Sequence, residues 1–298
     1  MLCALMRVTG GWRLLIFFLL LPCLSLKVYA ETPADDQRRL LIVASIEPLA
    51  LMAKMLLPEG TVVKTLVPAG TDPHHYALKV SDRQALTEAD LVLWVGPDME
   101  RFLGRIIEQL PAAKVISLED AAGKQHSEAD SQDHMLDKHD HSEQDLHLWL
   151  NPMNAIALLK QVSERLGGQV SMEPITEQLT TLDIHVREQL IPHRGMAYGV
   201  YHDAYRHFSE HYSLPNPVVV APGIDQRPGA RHLYRVRQQL TQAACLLVEA
   251  GQRNSLTHQL HTATAVPLVT ISPLQGQTYI GLIEGVAASF KGCATAKR

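Results

Sequence analysis

Residues 40–45 read Leu-Leu-Ile-Val-Ala-Ser, a continuous apolar run. A strand that alternates apolar and polar residues is covered on one face only, whereas an unbroken run marks a strand buried on both faces, as in a parallel sheet. The neighbouring residues repeat the pattern. Pro48 to Leu57 has helical spacing, and Thr61-Val-Val-Lys-Thr-Leu-Val-Pro reads as a second strand. Ser81 and Asp82 open a helix towards Ala89, Leu91-Val-Leu-Trp-Val-Gly is a third strand, a helix is expected from about Met99 to Gln109, and Val115-Ile-Ser is a short fourth strand. Strands alternating with helices define an α/β fold with a parallel sheet.

A helix from about Met153 to Leu166 precedes the longest helical pattern in the chain, Ser171 to Leu190. There Ile175, Leu179, Leu182, Val186 and Leu190 recur at three- and four-residue steps, with Pro174 near the start, where proline is tolerated. After Gly195 the alternation restarts. Strands are expected at Met196–Tyr201, Pro217–Pro222, Cys245–Glu249 and Val266–Ile271, with helices at about Ala230–Ala243, Asn254–Thr262 and Ile280–Phe290. Asp203 is placed to cap the helix after the first of these strands. The expected architecture is two similar parallel-sheet α/β lobes, each with its own core, with the long helix as the element that could join them.

Between the lobe-forming patterns lies AGKQHSEADSQDHMLDKHDHSEQDLHLW, residues 122–149. His126, His134, His139 and His141 stand among seven acids and two lysines. A segment this polar buries too little apolar surface to offset the entropy of ordering it, so a solvated loop is expected over 122–146. Neutral imidazole is a good ligand for zinc, copper and nickel, and a His-rich acidic tract is a compositional sign of metal binding.

The first 30 residues read as a secretory signal peptide, with Arg7 and Arg13, an apolar Leu14–Leu26 run, and Val28-Tyr29-Ala30 before the cleavage point. Removing them takes away three positive charges and no acid, so the formal charge goes from −4 to −7. That balance argues against a nucleic-acid partner. No other apolar run is long enough to span a bilayer. Of four cysteines only Cys245 and Cys293 remain, and two cysteines in an exported chain read as one disulfide.

Three further histidines sit at comparable places. His74 lies in Asp-Pro-His-His-Tyr after the second strand, His147 opens His-Leu-Trp-Leu, and His202 follows Tyr201. His74 and His202 follow carboxyl ends of parallel strands, where open α/β sheets place ligands. Three imidazoles meeting across a cleft would make a zinc site. There is no H-E-x-x-H, G-x-S-x-G or G-x-G-x-x-G to support a hydrolase or a nucleotide-binding reading.

Residues 40–102, HLWLNP, YHDAYRHF and PGIDQRPGARHLYRVRQQL resemble the periplasmic zinc-binding (solute-binding) proteins of ABC-type zinc uptake systems, over nearly the whole exported chain. The resemblance implies two α/β lobes joined by a long rigid helix: a signal peptide over 1–30, an N-terminal lobe over 31–168, a linking helix over 169–195 and a C-terminal lobe over 196–298. It implies a non-enzymatic, monomeric periplasmic protein that binds Zn2+ in the cleft and delivers it to an inner-membrane permease with a cytoplasmic ATPase. Carried onto this sequence, the ligands are His74, His147 and His202, with His126, His134, His139 and His141 as a secondary loop site. Cys245 and Cys293 fall where zinc-binding relatives carry a disulfide. His202 stands where manganese-selective relatives tend to carry a carboxylate, which sets zinc above a manganese or iron importer; a zinc hydrolase is a more distant alternative. Two departures leave the fourth ligand open: Ser272 replaces the usual acid before Pro273-Leu274, and Pro73 precedes His74 where some relatives have Glu.

Overall fold

A computed structural model describes residues 39–58, 60–126, 145–168, 170–221 and 228–296. The segment 1–30, expected as a signal peptide, and the loop histidines His134, His139 and His141 lie outside the described residues, as does the side chain of His126.

The first half of the chain runs β1 (Leu41–Ala44), α1 (Glu47–Leu56), β2 (Val62–Thr65), α2 (Val80–Glu88), β3 (Leu91–Trp94), α3 (Gly104–Ile107), β4 (Val115–Ser117), α4 (Leu118–His126) and α5 (Pro152–Arg165). After α6 (Glu173–Leu190), the second half runs β5 (Gly199–His202), α7 (Arg206–His211), β6 (Val218–Ala221), α8 (Ala230–Leu240), β7 (Leu246–Val248), α9 (Ser255–Thr264), β8 (Leu268–Thr270) and α10 (Tyr279–Thr295). Each half builds a four-stranded sheet with every pairing parallel, in the order β2-β1-β3-β4 and then β6-β5-β7-β8. The two sheets therefore have one topology, built twice without a recognisable repeat in the sequence.

Two expectations are corrected. The helix expected from Met99 to Gln109 shrinks to α3, because Glu100 is drawn into the end of β3. Its carboxylate accepts the N–H groups of Val95 and Gly96, and residues 101–103 form turns instead. The polar loop also starts later than Ala122. Ala121 and Ala122 are buried on the face of α4 that packs against α5, so the helix continues to His126.

Both sheets are covered on both faces, as the apolar runs required. In the first, Ile42, Ala44, Leu91 and Leu93 point into the largest core cluster, while Val43, Val92 and Trp94 point into a smaller outer one. In the second, Val200 and Leu247 point into the large cluster, and Val220, Leu246 and Val248 into a third. The separate cores expected for the two lobes do not hold. The large cluster is continuous from Ile42 through Trp149, Leu179 and Tyr198 to Phe290, so apolar contact runs through both sheets' inner faces. Helix α6 packs on α5 and on α10, which also touches α1. Ile175, Leu179, Leu182, Val186 and Leu190 are all buried, the stripe that its spacing predicts.

Gly199 opens β5 because nothing larger fits: a Cβ there would meet Leu240 Cδ2 at 2.6 Å. Close by, Cys245 and Cys293 form a disulfide with Cα atoms 5.2 Å apart, tying α10 to the start of β7. The bridge closes a separation of 48 residues, and loop entropy gives it about 4 kcal/mol. A Cys245→Ala/Cys293→Ala double variant is expected to lose stability of that order in urea unfolding, and thiol counting on unfolded, unreduced wild type is expected to find no free thiol at either position.

Candidate metal centre

His202 is the last residue of β5, with its ring buried. The strand order sets β5 beside β7 with chain connections leaving in opposite directions, and ligand sites in open α/β sheets form at such switch points. The residue after β7 is Glu249, which opens a tight turn over Ala250–Gln252. His202 Nδ1 lies 3.1 Å from Glu249 Oε1 and 2.8 Å from Gln252 Nε2. Its Nε2 is buried without a hydrogen-bond partner among the described residues.

His147 precedes a single 3-10 turn, Leu148–Leu150, in the described segment that starts at Asp145. Asp145 Oδ1 accepts from the His147 backbone N–H at 3.0 Å and from His147 Nδ1–H at 2.7 Å. Its Oδ2 accepts the backbone N–H of His207, in the first turn of α7, at 3.0 Å, and its carbonyl accepts from His207 Nε2–H at 2.8 Å. Burial alone raises this carboxyl; the hydrogen bonds from His147 and the charges of His147 and His207 outweigh it and hold the group well below the ordinary carboxylate range. Asp203, expected to cap α7, pairs instead with the Arg206 side chain, and the α7 cap comes from Asp145 in the other half of the chain. Two more bonds fix the same segment. Trp149 Nε1–H donates to the Pro273 carbonyl at 2.7 Å, and Tyr279 O–H donates to the Trp149 carbonyl at 2.7 Å.

His74 sits in a 3-10 turn, Pro73–His75, opened by Asp72, whose Oδ1 accepts the His74 backbone N–H at 2.9 Å. Asp72 Oδ2 holds His75 Nδ1 at 3.0 Å, and that ring is turned to solvent. Burial, reinforced by the neighbouring His147, lowers the His74 imidazole to about 4, so it is neutral across the physiological range.

The three histidines singled out in the sequence thus form one run of rings. The His74 and His147 centroids are 5.9 Å apart, and the His147 and His202 centroids 5.3 Å. Among the described residues, no three His, Cys, Asp or Glu side chains converge closely enough to hold an ion as they stand. Ser272 is exposed. Sequence reasoning missed the groups behind the imidazoles, Asp145, Glu249 and Gln252. The capping box Glu249-x-x-Gln252 was the one local signal for the last two. It also missed Glu100, buried at the corresponding switch point of the first sheet, where Ser45 Oγ–H donates to it.

Two parallel α/β sheets of one topology, with a run of imidazoles contributed by both halves of the chain, define a two-lobed solute-binding protein. Residues 42–293 match the family described as zinc-uptake complex component A, periplasmic (ZnuA), and the chain belongs to that family. It is 29% identical over 292 residues to the high-affinity zinc uptake system protein ZnuA of Yersinia pestis, covering 85% of this chain and 90% of that one. Its fold is similar to the periplasmic zinc-binding protein TroA from Treponema pallidum, with a TM-score of 0.70 and 21% identity over 87% of this chain and all of that one. A zinc-bound ZnuA carrying an internal deletion gives a TM-score of 0.67 at 18% identity, over 87% of this chain and 98% of that one.

Glu100 gives the fold a distinctive pH response. Burial raises its carboxyl to about 7, against opposing hydrogen bonds from Ser45, Gly96 and Val95. A raised folded value means that the folded state holds a proton that the unfolded state has released. Stability is therefore highest below the ordinary value of 4.5 and is lost as pH rises through about 7, by about 3 kcal/mol in all. Glu100→Gln is expected to remove that slope in urea unfolding measured across the window; an unchanged slope would assign it elsewhere.

Proposed function

We propose that this chain is the periplasmic capture component of a zinc-uptake ABC transporter: a monomer that binds Zn2+ through His74, His147 and His202 and hands it to an inner-membrane permease driven by a cytoplasmic ATPase. Under this reading the N-terminal lobe spans 31–168, the linking helix 169–195 and the C-terminal lobe 196–298. The protein transports metal and carries out no reaction on it.

The observation that carries this is the spacing of the three rings. A histidine bound to zinc at ~2.0–2.1 Å has its ring centre roughly 3.2 Å from the ion, so two rings on one tetrahedral ion stand roughly 5 Å apart. The two measured centroid separations, 5.9 and 5.3 Å, lie near that figure. Turning the nitrogens inward requires ring rotation, and the terminal torsion of histidine is broad. The buried Nε2 of His202, which has no protein partner, fits the group to a cation. An all-imidazole set suits zinc over manganese, which prefers carboxylate and water. Asp145 and Glu249 are engaged with the Nδ1 side of their histidines, which leaves Nε2 for the metal.

His74→Ala, His147→Ala and His202→Ala are each expected to weaken tight zinc binding by at least about 100-fold in competition titrations with a chromophoric chelator, since each removes one of few inner bonds. An unchanged affinity in His147→Ala would sink the ligand set.

The acidic loop, 122–146, with His126, His134, His139 and His141, is assigned as a weaker secondary collector. Its ligands bear an ordering cost that a preformed cleft avoids. The zinc-bound ZnuA with an internal deletion supports a primary site that does not need every inserted segment. Deleting residues 127–144 is expected to keep one tight zinc equivalent in calorimetry and remove the weak ones; loss of the tight site would make the loop a source of an obligatory ligand.

A further inference from the structure

We propose that Glu249 is a positioning residue that places the ring proton of His202 on Nδ1, against the competing donor of Gln252. The inference rests on the reading of His202 as a zinc ligand.

His202 Nδ1 has two neighbours with opposite demands. Gln252 Nε2, at 2.8 Å, is a donor and requires Nδ1 to be a bare lone pair. Glu249 Oε1, at 3.1 Å, is an acceptor and requires Nδ1–H. The amide of Gln252 cannot turn to remove the conflict. Its Oε1 accepts the Glu249 backbone N–H at 3.1 Å, and its Nε2 donates to Glu249 Oε1 at 3.0 Å. Flipping it would set oxygen against carboxylate and N–H against N–H, losing both bonds.

The two tautomers of neutral His202 therefore differ in what they leave unsatisfied. With the proton on Nε2, a buried N–H is left without an acceptor among the described residues. An orphaned buried donor is costly, and the charge-assisted bond to Glu249 is lost as well. With the proton on Nδ1, the carboxylate accepts it and Nε2 keeps a free lone pair, which is the form a cation needs. Removing Glu249 leaves the Gln252 donor as the only partner at Nδ1, and the balance reverses. His147 shows no such contest, because among the described residues its Nδ1 meets Asp145 alone, at 2.7 Å. The tautomer of His202 is thus the one set between two opposed neighbours.

The test uses the full exported chain without metal, at about pH 8, where imidazoles are neutral. Two-bond 1H–15N correlation distinguishes Nδ1–H from Nε2–H, and the His202 signals are assigned by their loss in His202→Gln. Wild type is expected to show Nδ1–H. Glu249→Ala is expected to switch His202 to Nε2–H and to weaken zinc binding about 10- to 100-fold, the usual effect of losing a group behind a metal ligand. Gln252→Leu, which removes the competing donor but keeps the carboxylate, is expected to retain Nδ1–H and lose less affinity. Nε2–H in wild type, or an unchanged tautomer in Glu249→Ala, overturns the proposal even if affinity falls. A switched tautomer with unchanged zinc affinity supports the role of Glu249 and overturns instead the reading of His202 as a ligand.

Discussion

The carboxylate of Asp145 is the constraint on which the cleft depends. It arrives from the segment that closes the first half of the chain, yet one of its oxygens caps α7 in the second half, and the other holds both the backbone and the ring of His147. An exposed ion pair would contribute little, but this group is buried and receives only N–H donors, and a buried carboxylate in that position is stable only while all of them remain. Trp149, two residues on, is fully buried and carries two more bonds to the Pro273–Tyr279 region. The central ring of the imidazole run is thus anchored from both halves at once. Together with the continuous core behind it, this favours a cleft whose geometry is set by packing, with α6 acting as a spacer wedged between α5 and α10.

The two sheets share a topology but use their switch points differently. In the first, the crevice between the ends of β1 and β3 is closed by Glu100, which takes up the Ser45 hydroxyl and the N–H groups of Val95 and Gly96. In the second, the equivalent crevice between β5 and β7 holds His202 and Glu249, with an imidazole nitrogen left unbonded among the described residues. One fold therefore closes one crevice with a carboxyl group and the other with an imidazole. The first half contributes His74 and His147 from turns, while the second contributes its histidine from a strand end.

What was legible in the sequence follows from the range of the interactions involved. The parallel strands were readable because burial on both faces demands unbroken apolar runs, and the α6 stripe because packing demands its period. Glu249 and Gln252 were hidden because their importance comes from strand order, which brings the end of β7 against the end of β5 across about fifty residues of chain. Asp145 was counted among the acids of a solvated loop, since composition alone cannot separate the last acid of a polar tract from the first buried residue of the next element. The helix expected at Met99–Gln109 failed for the same reason in reverse: its helical pattern was real, but a buried carboxylate with nearby N–H donors outweighed local propensity.

The distribution of charge around the three imidazoles bears on metal choice. His74 is held neutral by burial and by its neighbouring imidazoles, so it presents an uncharged nitrogen donor. The acids lie behind them: Asp145 on His147, Glu249 on His202, and Asp72 on the backbone of His74 and the ring of His75. Under the proposed ligand set, negative charge one atom-layer back would raise the basicity of the imidazoles and attract any divalent cation. Manganese and magnesium, which favour oxygen, would meet nitrogen donors there, the donors that suit zinc. Selectivity in such a cleft would then rest less on how much negative charge is present than on which side of the imidazoles it occupies.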